Sequence, residues 1–219
     1  MEVLEYVLSH TELFDEFELR YILYYIRCVP DELFLPDLIR ELYDQFGIVS
    51  DRKNIYLGFI DLLKENFDIQ NSNIIEVGGG IFPCLGKRIS LLQDRGTITV
   101  YDPRLSFYEG EMEHLKLVGD FFTSSTDVHD TDLLIGFMPC KGAEALIESA
   151  VYNEIDFMLA LCEGGPHGDY YDYFESDEEW IDSILYRAGR GIEDHHMGVL
   201  KTEFLKQYGD PYPIIYNKK

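Results

Sequence analysis

Three acids lie in or at the ends of apolar runs, and their types suit the binding of a polar ligand. Glu76 sits within NIIEV, Asp102 ends TITVYD, and Asp120 ends LKLVGD. Glu76 is followed by Gly78, Gly79 and Gly80, a turn without Cβ atoms that lets a ligand reach the backbone. A carboxylate ending the second of these runs is spaced to hold ribose hydroxyls. A second group of reactive types shares the glycine-rich stretch CEGGPHGDYYDYF: Glu163, His167, Tyr170, Tyr171 and Tyr173. His167 or Glu163 suits a general base, with tyrosines walling a small substrate; the plain alternative is a solvated acidic loop. Cys140, in GFMPC, reads as a small buried hydrophobe before it reads as a nucleophile. EDHH, ending at His195 and His196, holds three ligand types, but adjacent residues of a strand point to opposite faces, so no metal site is expected there.

The elements that must position these groups are short and apolar. NIIEV, TITVYD, LKLVGD, DLLIGF and DFMLAL are β-rich runs, and helix-compatible segments separate several of them. Strands alternating with helices imply right-handed crossovers and a parallel sheet covered on both faces. A helix is expected over SDEEWIDSILYRA. MGVLKTEFL and YPIIYNKK read as a closing antiparallel pair, turning at Tyr208 to Pro211. The fold class is therefore α/β, a three-layer sheet that is mostly parallel with an antiparallel C-terminal strand.

Residues 1–70 read as a helical subdomain ahead of a sheet domain at 71–219. ELFDEFELRYILYYIRCV places Leu13, Phe14, Phe17, Tyr21, Leu23, Tyr24 and Tyr25 at helical spacings; LPDLIRELYDQFG and NIYLGFIDLLKENF follow. The aromatic stripe reads as core, the alternative being a lid or a homodimer surface.

Bulk charge excludes several classes. Against 18 basic residues stand 41 acidic ones, a net charge of -23, and the few cations are scattered, so a nucleic acid partner is not expected. No apolar run reaches the roughly 18 residues of a membrane span. The first residues carry acid where a signal peptide needs base, and Cys28, Cys84, Cys140 and Cys162 form no CxxC pair. A cytoplasmic setting without membrane, zinc or disulfide framework is the expectation.

EVGGG, VYDP and LVGD resemble the first three motifs of the class I S-adenosylmethionine-dependent methyltransferases, over residues 73–162 with a compatible tail to 219. The resemblance implies a Rossmann-like domain that binds S-adenosyl-L-methionine and passes a methyl group to a small molecule or a protein. It implies that Glu76 supports the turn, that Gly78, Gly79 and Gly80 border the methionine moiety, that Asp102 holds the ribose, and that Asp120 lies near the adenine with Phe121 beside it. The chain departs from the pattern at Phe82, where a third glycine is usual, and at Pro83. The turn GGGIFP is also similar to that of nicotianamine synthases, which use the same cofactor for aminopropyl transfer.

Two other resemblances carry less. GFMPC is similar to the Pro-Cys of cytosine-C5 methyltransferases, but the chain has no recognition domain, no recognisable glutamate motif and a charge that opposes DNA. A dinucleotide fingerprint would need glycine at 83. The rival from another class is a non-catalytic Rossmann-like protein that binds a partner.

Overall fold

A computed structural model describes residues 7–13, 19, 55–80, 83–107, 110–161, 174, 176–204 and 213–218. The chain divides into two compact units, Met1–Gly58 and Phe59–Lys219. The helical segments expected between residues 14 and 54 lie outside the described residues, as does the Tyr208–Pro211 turn. Helix α1 (Ile55–Asn66) is grouped by the sequence with the N-terminal segment, yet from Phe59 on it belongs to the second unit.

The second unit is built on an eight-stranded sheet: β1 (Ile74–Val77), β2 (Ile98–Tyr101), β3 (Gly110–Met112), β4 (Leu115–Val118), β5 (Leu133–Phe137), β6 (Asp156–Ala160), β7 (Val199–Phe204) and β8 (Pro213–Lys218). Across the sheet they run β3-β4-β2-β1-β5-β6-β8-β7. The pairs β4–β2, β2–β1, β1–β5 and β5–β6 are parallel. β8 is antiparallel to β6 and to β7, and β3 forms an antiparallel hairpin with β4 at the other edge. This is the expected three-layer α/β, Rossmann-like and mostly parallel sheet, with the antiparallel C-terminal strand inserted between the fifth and sixth parallel strands.

Burial explains which strands were plain in the sequence. β1 and β5 lie in the sheet centre and are buried along their whole length, so they read as continuous apolar runs. β2 and β4 alternate, with Ile98, Val100, Leu115 and Leu117 buried on one face and Thr99, Tyr101 and Lys116 more open on the other. On that open face, residues 119–132 cross from β4 to β5 without a helix.

Helices α1 and α2 (Cys84–Ser90) cover the first face: Phe59 meets Phe137 edge to face at 5.3 Å, and α2 packs on β2 and β4. Helices α3 (Gly142–Tyr152) and α4 (Asp177–Asp194) cover the second. There Leu146 and Ile147 of α3 and Trp180, Ile184 and Ala188 of α4 join Ile75, Leu134, Phe157, Leu159 and Ile215 in one buried cluster. Ser176 caps α4, its side chain accepting from the Glu179 amide at 3.2 Å. Buried Asn217 fixes the register of β8: it accepts from Phe157 N at 2.8 Å and donates to Asp156 Oδ1 at 2.8 Å and Met197 O at 3.2 Å. Among the described residues, no helix is long and apolar enough to cross a membrane.

Candidate functional site

The parallel strands reverse their order at β1, between β2 and β5, and open α/β sheets bind ligands beyond the carboxyl ends of the strands at such a point. Backbone bonds carry the sheet past its strand ends here. Gly78 N donates to Tyr101 O at 2.9 Å, Asp102 N to Val118 O at 3.2 Å, and Met138 N to Ala160 O at 2.9 Å. The residues that follow β1, β2, β4 and β5 are thereby held at one edge.

Gly78 and Gly80 both have φ near +79°, a left-handed conformation that other residues adopt at a cost. The turn is also tightly packed. A Cβ on Gly78 would lie 2.8 Å from the Pro139 backbone, and one on Gly79 would lie 2.3 Å from Val100 Cγ1. The glycines therefore have a structural reason of their own, besides leaving the backbone bare.

Beneath the turn, Glu76 is buried, and among the described residues its Oε2 has no hydrogen-bond partner. Burial pushes its pKa up to about 8; the Gly86 amide lowers it in part, and the Asp102 carboxylate raises it further. A Cβ on Gly86, in α2, would stand 2.6 Å from that oxygen and 2.5 Å from Val100 Cγ2. Gly86 thus allows the close helix–strand packing that the third glycine of a dinucleotide fingerprint provides. Residue 82 lies outside the described residues, and Pro83 is buried at the N-cap of α2.

Asp102 is held more fully than the sequence suggested. Its Oδ2 accepts from Gly80 N and from Arg104 Nη2, and its Oδ1 from Arg104 N and Nε, all at 2.9 Å. Burial by itself would raise its pKa. The side-chain and backbone hydrogen bonds and the charge of Arg104, with the Gly80 amide, outweigh that and hold it below the ordinary carboxylate value. Arg104 was missed in the sequence; the available signal was a cation two residues after the strand-end acid, across Pro103.

At the end of β4, Asp120 is exposed, and its Oδ1 accepts from Phe121 N at 2.7 Å. Phe121 is 66% exposed, so its ring is open to solvent at this edge. The fourth member of the edge is the turn after β5, where Met138 and Cys140 adopt φ values of 53° and 49° on either side of Pro139. The half-buried Cys140 thiol donates to Met138 O at 3.5 Å, turned back on its own loop. Strain of this kind gathers at functional sites.

Glu163, His167, Tyr170, Tyr171 and Tyr173 lie outside the described residues. EDHH is not on a strand, contrary to expectation. Glu193 and Asp194 end α4 and His195 is its C-cap, with Nδ1 3.7 Å from Glu154 Oε1. Among the described residues, no group of three or more His, Cys, Asp or Glu side chains could hold a metal ion. A recess of about 850 Å³ lies between α3 and α4, but its arginines are paired, Arg187 with Glu144 at 3.6 Å and Arg190 with Glu193 at 3.4 Å.

No protein-family model matches the chain, and no curated protein matches it in sequence. Among solved structures it is similar to a precorrin-6y C5,15-methyltransferase from Geobacter metallireducens (14% identity, 78% of this chain and 90% of that one, TM-score 0.48). It is also similar to magnesium protoporphyrin IX methyltransferase from Synechocystis with bound S-adenosylmethionine (9% identity, 93% and 97%, TM-score 0.47). A third is fibrillarin from Aeropyrum pernix, also with S-adenosylmethionine (11% identity, 68% and 67%, TM-score 0.46). The likeness is one of chain course alone.

Proposed function

We propose that the carboxyl edge of β1, β2 and β4 binds S-adenosyl-L-methionine and that the protein is a methyltransferase acting on a small molecule or a protein. One observation carries the reading: the Gly80 amide and the Asp102 carboxylate are joined at the strand-order reversal, which supports a single site that combines a bare glycine turn with an acid able to accept from hydroxyls. The residues fit that group. Gly78 and Gly80 leave backbone without side chains where the methionine part would lie, Asp102 offers a carboxylate for the ribose, and the open face of Phe121 suits stacking on adenine.

The bound cofactor supplies an electrophilic methyl group. The chain's own part is to align it with a nucleophile, which can account for much of the rate without a strong catalytic acid. Glu76, protonated at neutral pH by its burial, supports the turn without adding a second full negative charge beside Asp102. The strained Met138–Pro139–Cys140 turn faces the same edge and forms its wall on the β5 side.

A second reading, a Rossmann-like protein without catalytic activity, is favoured by one feature: the acceptor sites of Asp102 are already filled from within the chain. Thermal unfolding with S-adenosylhomocysteine separates the two. Ligand at a hundred times its dissociation constant adds about 2.7 kcal/mol to stability and raises the melting temperature. Absence of any shift at millimolar ligand would remove the methyltransferase reading.

A further inference from the structure

We propose that Arg104 is a specificity-determining residue for the ligand's ribose, because its guanidinium sits where two vicinal hydroxyls would bind and must be exchanged for them. The inference rests on the nucleoside reading of the site given above.

An ionised carboxylate offers about four lone-pair positions, and Asp102 has four donors. Two are backbone amides, Gly80 N and Arg104 N, that belong to the turns on either side and stay in place whatever binds. The other two are the fork of Arg104, with Nε on Oδ1 and Nη2 on Oδ2 at 2.9 Å each. The fork thus places one donor on each carboxylate oxygen. A cis-diol presents the same pattern, two hydroxyl donors on adjacent carbons, one for each oxygen.

Exposure identifies the half of the pair that moves. The Asp102 side chain is 4% exposed and anchored by backbone amides, whereas that of Arg104 is 60% exposed. Arg104 can turn into solvent and be hydrated there, so the cost of exchange falls on the buried Asp102, and it is met only when an incoming ligand refills the two acceptor positions the fork releases. A ligand with both hydroxyls replaces both donors that Asp102 gives up. A ligand with neither leaves the fork in place and gains nothing from Asp102. Arg104 therefore lowers the apparent affinity for every ligand that uses Asp102, in proportion to the fraction of time the acid is free.

The test is a calorimetric comparison of the full chain with Arg104→Ala, using S-adenosylhomocysteine, adenosine and 2′,3′-dideoxyadenosine. The expected result is roughly three- to tenfold tighter binding of the two diol ligands by the variant, with affinity for the dideoxy compound unchanged. Arg104→Met keeps the aliphatic stem and gives the same comparison should the alanine variant fold poorly; both retain the Arg104 backbone bond to Asp102. Weaker binding of the diol ligands by the variants would overturn the proposal. So would equal tightening for diol and dideoxy ligands, since Arg104 would then obstruct the site rather than compete for the carboxylate. If neither wild type nor variants bind S-adenosylhomocysteine, the nucleoside reading itself fails. Wild-type binding without tightening in the variants removes the role of Arg104 alone.

Discussion

The Gly80 amide donates to Asp102 Oδ2 at 2.9 Å, across 22 residues of sequence. This bond ties the turn after β1 to the end of β2, and it makes Asp102 part of the fold as well as a candidate ligand group. A strand-end acid read from sequence carries little structural weight. This one is buried with four donors, so Asp102→Ala should lower stability by about 1.5–3 kcal/mol, read from the urea midpoint at neutral pH. Its folded pKa lies below the ordinary 3.8. The stability it contributes is therefore present above pH 3.8 and lost as pH falls through the lower folded value. Equal urea midpoints for wild type and variant at neutral pH would show that the bonds carry no net weight.

Glu76 should leave the opposite signature. With its pKa raised from 4.5 to about 8, the folded chain holds a proton across that interval that the unfolded chain has released. Stability falls as pH rises from 4.5 to 8, by up to about 1.4 kcal/mol per unit, and levels off above. Glu76→Gln resembles the protonated acid in shape and hydrogen-bonding groups, so the slope should flatten. Parallel curves for the two proteins over this range would mean that Glu76 ionises normally.

Alanine in the glycine turn tests packing before it tests ligand binding. Gly80→Ala must hold φ near +79° and should lose about 1–2 kcal/mol from that alone. Gly78→Ala has the same strain plus a contact at 2.8 Å to the Pro139 backbone, which cannot yield as a side-chain tip can. It should be the more damaging of these two in chemical denaturation than its conformational strain alone predicts. A Gly78→Ala protein within 0.5 kcal/mol of wild type, the range of ordinary surface changes, would contradict the packing described for this turn.

Much of this architecture was legible in the sequence, for physical reasons. β1, β5 and β6 were plain because they are buried along nearly their whole length and so are continuous apolar runs, β2 and β4 because they alternate as strands buried on one face do, and the β7–β8 pair because two apolar, β-rich runs flank a turn. The start of α4 was marked by Ser176, but its continuation through Gly189 and Gly191 to Asp194 was not, since both glycines argue locally for a break. Tertiary packing overrides them: a Cβ on Gly191 would lie 2.5 Å from Val151 of α3, so glycine there lets the helices approach. His195 and His196 were accordingly misread as strand residues. β3 has three residues and no β-rich pattern. The role of Arg104 was hidden because a contact between residues i and i+2 depends on the turn geometry at Pro103, which no spacing rule encodes.

Phe121 offers the cleanest separation of binding from folding. Its ring is 66% exposed, so Phe121→Ala should leave the denaturation midpoint within the ±0.5 kcal/mol expected of surface changes. Base stacking on an aromatic side chain is worth about 1–3 kcal/mol, so affinity for S-adenosylhomocysteine should drop about five- to 160-fold in a calorimetric titration. Unchanged affinity would take Phe121 out of the adenine site while leaving the rest of the reading standing.

The last prediction concerns α1 and the boundary of the sheet unit. Residues 1–70 are too apolar in sequence to trail as a free tail, and their final stretch contributes to the core of Phe59–Lys219. Phe59 and Leu63 are fully buried, and Phe59 stacks edge to face on Phe137 at 5.3 Å. Beyond them Phe67 meets Tyr216 at 6.3 Å, and Asn66 Oδ1 accepts from Lys218 Nζ at 3.0 Å. Truncating a buried phenylalanine costs about 3–5 kcal/mol and a buried leucine about 2–5 kcal/mol. A domain of this kind has about 5–15 kcal/mol of stability in total. Phe59→Ala alone should therefore lower the urea midpoint sharply while leaving a folded protein at neutral pH. A chain beginning at residue 71 loses all of these contacts together and should be molten or insoluble, with near-ultraviolet circular dichroism absent and no cooperative transition. A cooperative, well-dispersed chain of residues 71–219 would show that the sheet closes its core without α1 and that residues 1–70 are an independent module.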